Sequence, residues 1–266
     1  MSDNPMRKPA GAPLRERLVL PFTLVVLVVV WQISVSLFHL PSYLLPSPSD
    51  IGIEVAANWM ILLQNTWVTT VEVLLGFAMS VALAIPIAVL VSYSKLFKQT
   101  VYPLIVGSQT IPKVALAPLM LVWFGFGLAP KVAIVVLVAF FPIVINAVVG
   151  FNGISPQMLY LASSMGATPW QSFWRFRLPN ALPNLFAGLK VAAILAVIGA
   201  IVAEFVGADS GLGYLVLVSG TNFKIAEQFA AIILLSIMGT AFFWLASWTE
   251  RKLLPWHVSV RSSEGR

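Results

Sequence analysis

The sequence contains no cysteine and very little charge. Asp, Glu, Lys and Arg make up only 10% of its 266 residues, whereas soluble domains carry about 25%. Without cysteine, a disulfide framework, a thiolate metal site and a thiol nucleophile are all excluded. Hydrophobic residues instead reach 59% of the chain, so the composition indicates a membrane protein.

Motifs for catalysis and metal binding are also missing. The chain has no Gly-x-x-x-x-Gly-Lys-Ser/Thr motif to cradle nucleotide phosphates and no His-Glu-x-x-His motif, and its two histidines, His39 and His257, lie far apart in sequence. We therefore predict no catalytic residue, no metal site and no cofactor. Because the long apolar runs require a membrane, the net charge of +6 is assigned to cytoplasmic loops rather than to nucleic-acid binding.

Six apolar segments are long enough to cross a bilayer, which takes about 20 helical residues. They are Leu18–Phe38, Thr66–Ser92, Val101–Gly127, Val132–Phe151, Leu185–Gly207 and Phe229–Thr249. The third contains Pro103, Pro112 and Pro118 and is predicted to be interrupted. The first is longer than the about 7–15 residues typical of a signal peptide and is predicted to be retained. The predicted fold is an all-α polytopic membrane protein with six transmembrane helices.

The Lys and Arg residues fall mainly on one side of these spans. That side carries Arg7, Lys8, Arg15, Arg17, Lys95, Lys98, Arg175, Arg177, Arg251, Lys252, Arg261 and Arg266. The other side carries only Lys131 and Lys224. Both termini are therefore predicted to be cytoplasmic. The expected divisions are a cytoplasmic tail at 1–17, the first span at 18–38, an external loop at 39–65, a core domain at 66–250 and a cytoplasmic tail at 251–266.

The cytoplasmic loop at 155–183 encodes two short helices. Ser155 and Pro156 are typical of a helix start, and Gly166 suits a helix end that requires positive φ. Between them, apolar residues at helical spacing form one stripe: Met158, Leu161, Ala162 and Met165.

A second helix follows directly. Thr168 and Gln171 have capping-box spacing, and Pro179 is predicted to end the helix. Its apolar face and its cationic end are formed by Trp170, Phe173, Trp174, Arg175 and Arg177. Periodicity alone leaves two interpretations open, a position on the membrane surface or docking into a groove of a cytoplasmic partner.

Ionisable residues inside the spans are candidates for a translocation path because charge at membrane depth is costly. Glu72, Lys113 and Glu204 are such residues. Gly207, Gly211 and Gly213 predict a turn and a short re-entrant helix through Tyr214. Either these groups border the path or they form buried interhelical pairs. For Glu72 with Lys113 the ion pair is the favoured interpretation.

The loop at 155–183 resembles the Glu-Ala-Ala loop of binding-protein-dependent ABC importer permeases, which couples to an ATPase, and we therefore call it the coupling segment. Gly166 and the run Phe176–Pro179 keep the spacing of that motif, although Tyr160 occupies its Glu position and only Ala162 retains the identity of its alanines. "TIPKVALAPLMLVWFGFG", "FFPIVINAVVGF" and "VAEFVGADSGLGYLV" are similar to the branch associated with nitrate, taurine, aliphatic sulfonates and pyrimidine thiamine precursors.

The resemblance implies a type I ABC importer permease in the bacterial cytoplasmic (inner) membrane, with ATP hydrolysis on a separate chain. The implied partners are a second permease copy, two ATP-binding subunits, an extracytoplasmic substrate-binding protein and membrane lipid. It also implies a small polar solute as substrate. The residues implied in coupling to the ATPase are Met158, Leu161, Ala162, Met165, Gly166, Ala167, Trp170, Arg175, Leu178 and Pro179.

Two other classes of function remain as alternatives. A secondary transporter driven by an ion gradient would often show repeat symmetry between its halves, and no such repeat is evident here. A polytopic membrane enzyme would need catalytic groups clustered at one depth, and the acids of this chain are scattered.

Overall fold

The computed structural model describes residues 14–255, and their side chains except those of residues 14–18 and 20. Most of both predicted tails, 1–13 and 256–266, lies outside the described residues. The described part is all-helical, as predicted. Its α-helices are α1 Leu14–Leu37, α2 Pro48–Ala57, α3 Trp59–Tyr93, α4 Lys95–Gly107, α5 Ala117–Phe124, α6 Leu128–Asn152, α7 Pro156–Ser164, α8 Pro169–Ser172, α9 Leu178–Gly207, α10 Leu212–Thr221 and α11 Ile225–Leu253.

Four helical stretches are long and apolar enough to span a membrane, judged by length and composition. They are Trp59–Tyr93, Leu128–Asn152, Pro169–Gly207 and Ile225–Leu253, and the bent pair formed by α4 and α5 adds a fifth if it is one span. α1 coincides with the predicted first span, but its described apolar part, Pro21–Leu37, belongs to the shorter helices. The predicted total of six spans is therefore not confirmed.

The segment predicted as an external loop, 39–65, is partly helical, which the sequence pattern did not indicate. α2 begins at a capping box, in which the Ser47 hydroxyl accepts the Asp50 N–H and the Asp50 carboxylate accepts the Ser47 N–H. Pro48 fills the first helical position, where no backbone donor is needed. α3 then starts at Trp59, seven residues before the predicted start of the second span at Thr66.

The third span is interrupted, as its prolines predict. α4 ends at Gly107, and two short 3-10 turns, Ser108–Thr110 and Lys113–Leu116, lead into α5. The two halves are bent by 91°. Pro112 lies between the turns in extended conformation and cannot continue the helical hydrogen bonds.

Small residues allow α6 and α9 to pack closely, and this pair forms the centre of the bundle. A Cβ on Gly150 would lie 2.8 Å from the Ala181 carbonyl oxygen, and one on Gly188 would lie 2.8 Å from the Pro142 oxygen. The helix backbones are thus in direct contact at two levels. Close approach at small residues is the usual way in which membrane helices gain packing energy, since lipid supplies little hydrophobic driving force.

The predicted helix starts at Pro156 and Pro169 and the predicted helix end at Gly166 are present in the coupling segment, although the Ser155 side chain makes no capping hydrogen bond. Gly166 adopts φ +77°, its N–H donates to the Ser163 carbonyl, and the Ala167 N–H donates to the Ala162 carbonyl at 3.0 Å. These two bonds form a Schellman motif that closes α7. At the next helix, Thr168 and Gln171 exchange both bonds of a capping box. Both turns are therefore fixed by local hydrogen bonds.

The prediction that Pro179 ends the second helix is wrong. α8 continues through a π-helical turn, Phe173–Arg177, directly into α9, so that Pro169–Gly207 is one helical stretch. In the π turn the Leu178 N–H bonds five residues back, to Phe173. This shift in register lets Pro179 sit in the first turn of α9, where its missing N–H is tolerated.

Gly150→Ala tests the helix contact. We expect it to lower the thermal stability of the purified protein, since overpacking costs about 1–3 kcal/mol and the neighbouring group is backbone. Gly239→Ala is the matched control, because Gly239 lies within α11 and its Cβ would meet nothing within 4 Å. Equal melting temperatures for the two variants in detergent would contradict this account of the α6–α9 contact.

Candidate functional site

Glu72 on α3 forms a buried ion pair with Lys131 in the first turn of α6. The Lys131 Nζ lies 2.8 Å from Glu72 Oε1 and 3.5 Å from the Ser210 carbonyl oxygen. The Glu72 and Lys131 side chains are only 1% and 7% exposed. The predicted pairing of Glu72 with Lys113 is therefore wrong. α6 begins at Leu128, earlier than predicted, and this places Lys131 inside the bundle rather than in an external loop.

Glu204, near the end of α9, is held by hydrogen bonds rather than by a cation. Its Oε1 accepts the Thr69 hydroxyl at 2.7 Å, and its Oε2 accepts the backbone N–H of Gly213. The Thr69 hydroxyl oxygen also accepts the Leu212 N–H at 2.8 Å, and the Asn65 side-chain oxygen accepts the Gly211 N–H at 2.7 Å. Three N–H groups at the start of α10, those of Gly211, Leu212 and Gly213, thus find side-chain acceptors.

The glycines that predicted a turn have a specific steric role here. A Cβ on Gly211 would lie 2.0 Å from Glu204 Oε1, and one on Gly213 would lie 2.7 Å from Glu204 Oε2. Gly211 also has φ +118°, a conformation that other residues rarely adopt. Only glycine therefore allows the start of α10 to approach the carboxylate. We call Thr69, Glu72, Lys131, Glu204 and the Gly211–Gly213 turn the glutamate cluster.

The glutamate cluster joins α3, α6, α9 and α10. Its side chains are buried, so four of the residues predicted to border the path are engaged in packing: Glu72, Glu204, Gly211 and Gly213. Tyr214 is partly exposed. Sequence reasoning missed Asn65 and Thr69, although a signal was present, because Asn65, Thr69 and Glu72 fall at i, i+4 and i+7 on one helical face.

Lys113 lies apart from this cluster, on the second 3-10 turn of the interrupted span. Its Nζ is 4.7 Å from the centroid of the Phe141 ring on α6, a cation–π contact. The side chain is partly exposed. Among the described residues, no carboxylate lies within ion-pair distance of it.

The coupling segment presents large apolar side chains at its surface. Most of the predicted coupling residues with long side chains are exposed: Met158, Leu161, Met165, Trp170 and Arg175. Met165 is 77% exposed and Trp170 is 69% exposed. Gly166 is also exposed.

Other residues of the segment anchor it to the bundle. Ala162 is buried, and Ala167, Leu178 and Pro179 are half-buried, so the predicted stripe of α7 is divided between an inner and an outer side. Phe173 stacks on Phe151 of α6 and meets Tyr93 of α3 edge-on, with both centroid distances 5.9 Å. The Arg177 guanidinium lies 4.5 Å from the Tyr93 ring centroid.

Comparison with known proteins identifies the family of this chain. Residues 80–255 match the family described as the binding-protein-dependent transport system inner membrane component. The chain belongs to this family. It is a multi-pass ABC importer permease, a transport subunit and not an enzyme, and family membership argues against both alternatives left open by the sequence.

Relatives of the permease cover nearly its whole length. It is 39% identical to the formylaminopyrimidine transport permease protein of Halalkalibacterium halodurans, over 86% of this chain and 92% of that one. It is 36% identical to the riboflavin transport system permease protein of Chloroflexus aurantiacus, over 90% of each chain. A putative aliphatic sulfonates transport permease protein of Bacillus subtilis is 29% identical, over 88% of this chain and 86% of that one. The predicted branch is therefore confirmed.

The fold is also that of an ABC importer of known structure. A structure of the MetNI methionine ABC transporter superposes with a TM-score of 0.65 at 22% identity, covering 74% of the permease and 97% of that chain. The predicted type I importer permease fold is confirmed, apart from the span count.

Lys131→Met tests the ion pair in the glutamate cluster. It leaves the Glu72 carboxylate buried without its cation, which we expect to destabilise the permease by about 3–5 kcal/mol. In Lys131→Met/Glu72→Gln both charges are absent, and part of the lost stability should return. Thermal unfolding of the purified protein in detergent measures both.

Lys113→Met is the matched control for this test. It removes a lysine with no described carboxylate partner, so the free energy of unfolding of the permease should change by about 1 kcal/mol or less. If Lys113→Met and Lys131→Met lowered the melting temperature equally, the assignment of Lys131 as the partner of Glu72 would be refuted.

Proposed function

We propose that the permease forms a substrate path together with a second copy of itself, and that its coupling segment binds a cytoplasmic ATP-binding subunit. An extracytoplasmic binding protein would deliver the substrate. The observation that carries this proposal is the coupling segment itself, a locally capped structure with an apolar outer surface and a covalent continuation into the core of the bundle.

The outer surface of the coupling segment has the chemistry of a docking site. Leu161 and Met165 project from α7, and Trp170 projects from α8, all largely exposed. Apolar side chains on a short helix suit insertion into a groove of another protein. The alternative interpretation is a helix lying flat on the membrane. It agrees less well with the structure, because Phe173 and Arg177 pack against the ends of α3 and α6 and hold the segment there.

The inner side of the segment supports transmission of movement. The Schellman motif at Gly166 and the capping box at Thr168 leave little freedom within the segment. From Pro169 the helix runs without interruption to Gly207. Since α9 packs against α6 and also contacts α3, α10 and α11, displacement of the coupling segment would act on the whole bundle.

The distribution of charge supports the proposed orientation, with both termini and the coupling segment in the cytoplasm. The two lysines assigned to the outer side are each paired with a carboxylate. Lys131 lies 2.8 Å from Glu72, and Lys224 lies 3.9 Å from Glu227. These are the only Lys or Arg residues assigned to the outer side in the described part of the chain, and such a low number agrees with the positive-inside rule.

Lipid contact is assigned chiefly to α1. Between Phe22 and Val30 its large apolar side chains are exposed around the helix, with exposed fractions from 40% at Val26 to 69% at Phe22, whereas Val35 further along is buried. Such a surface is stable only when lipid or a second copy of the permease covers it.

The substrate is proposed to be a small polar solute. The relatives are named for formylaminopyrimidine, riboflavin and aliphatic sulfonates, which differ in charge and size. A pyrimidine thiamine precursor, a sulfonate, taurine and nitrate all remain within this class. Mass spectrometry of the solute that copurifies with the cognate binding protein identifies which one the importer takes.

Leu161→Asp tests the docking role of the coupling segment. The side chain is 61% exposed, so the variant should fold and insert normally. A charge placed in an apolar docking groove should lower the affinity for the coexpressed ATP-binding subunit at least about tenfold. The measurement is capture of that subunit by the tagged permease from solubilised membranes.

Leu44→Asp is the matched control, since Leu44 is 65% exposed and lies in the segment assigned to the outer side. It should capture the ATP-binding subunit as the unaltered permease does. Normal capture by Leu161→Asp would show that α7 is not the docking site.

A further inference from the structure

Lys113 has no polar partner in the described part of the chain, unlike the other ionisable side chains deep in the spans. The others are neutralised by ion pairs or held by hydrogen bonds: Glu72 with Lys131, Lys190 with Glu250, and Glu204 with Thr69 and Gly213. The one contact given for the Lys113 ammonium is the ring of Phe141. Attraction to an aromatic face is much weaker than the cost of burying a charge in lipid.

The position of Phe141 places Lys113 near the middle of the membrane. Phe141 is the fourteenth of the 25 residues of α6, so at a rise of about 1.5 Å per residue it lies about 20 Å from the first residue of that helix and about 17 Å from the last. A lysine side chain near a helix end can extend to the interface. From the middle of the membrane a lysine side chain is too short to reach the interface, so the Lys113 ammonium needs water close by.

The backbone beside Lys113 also requires water or a covering protein surface. Between α4 and α5 the chain leaves helical geometry and bends by 91°, and Gln109, Thr110, Ile111 and Pro112 are exposed. Irregular backbone at membrane depth is tolerated only where protein covers it or where it lines a water-filled cavity. The described chain does not cover this turn, and the adjacent ammonium favours water over a dry interface.

We propose that Lys113 lines the water-filled substrate path at mid-depth, where it favours solutes with an anionic or other hydrogen-bond-accepting group and disfavours cations. This inference rests on the proposed function of the permease as a path-forming subunit. The two acids that could oppose it, Glu72 and Glu204, are buried in the glutamate cluster. Lys113 therefore sets the sign of the local electrostatic field, and an unopposed charge in a narrow path strongly affects the local concentration of ions.

The absence of cysteine from the chain permits a direct test. Gln109→Cys places a single thiol on the exposed turn beside Lys113. The full permease, assembled with its ATP-binding subunits in membrane vesicles, is treated with two methanethiosulfonate reagents, one carrying a sulfonate and one a quaternary ammonium group. Each rate is divided by the rate of the same reagent with a free thiol in solution.

We expect Gln109→Cys to react with both reagents and to prefer the anionic one at least about tenfold. The preference should fall to near unity in Gln109→Cys/Lys113→Gln and persist in Gln109→Cys/Lys113→Arg. Leu27→Cys, an exposed position midway along α1, is the lipid-facing control and should remain unreactive. Thr110→Cys provides a second position on the same turn if Gln109→Cys fails to assemble.

Two results would overturn the proposal. If thiols at positions 109 and 110 react with neither reagent, the turn is covered and Lys113 does not line an aqueous path. If they react with a charge preference that Lys113→Gln leaves unchanged, Lys113 is not the residue that selects between anionic and cationic solutes. Capture of the ATP-binding subunit is measured on the same vesicles, so that a failure of the coupling proposal is recognised separately.

Discussion

The burial of two glutamates at one level of the bundle is the constraint on which the rest of this structure depends. A carboxylate removed from water is stable only when cations or N–H groups replace the water. Glu72 obtains Lys131, and Glu204 obtains Thr69 and the start of α10. Each of these partners lies on a different element, so placing partners beside the two carboxyl groups fixes the relative positions of α3, α6, α9 and α10. The glycines at 211 and 213 follow from the same requirement, because any side chain there would occupy the place of the carboxylate.

At the opposite end of the bundle α3, α6 and the turn that leads into α9 are joined by apolar and aromatic contacts instead. Phe173 and Arg177 pack on the ends of α3 and α6, and the π turn carries the chain into α9 without a break. The coupling segment is therefore part of the bundle on its inner side while its outer side stays apolar and uncovered. This combination suits a segment that transmits force between a membrane domain and a separate subunit.

Because Glu72 and Glu204 are buried in the glutamate cluster, few charges remain in the described spans that could act on a passing solute. Lys190 is paired with Glu250, and Lys113 is left beside an interrupted helix. The sequence alone shows two acids and one lysine as candidates for a path, although it favours an ion pair for Glu72 with Lys113, and acids and lysine would have opposite effects on an anion. Burial separates them, because a paired and buried charge has little influence on a passing solute, whereas a partly exposed ammonium has a large one.

The amino-acid pattern alone was sufficient to predict the membrane class, most of the helices, the break at Pro112 and the caps at Gly166 and Thr168, because hydrophobic periodicity and capping are local and each needs only a few neighbouring residues. The motifs of the coupling segment were enough to indicate the family as well. Three features depended on tertiary structure: the partner of Glu72, the role of Asn65 and Thr69, and the continuation of the helix through Pro179. The first two join residues far apart in the chain, and the third depends on how Phe173 packs against α3 and α6. The physical reason is the same in each case, since ion pairs and packing contacts are selected by distance in space, and a one-dimensional pattern does not contain that distance.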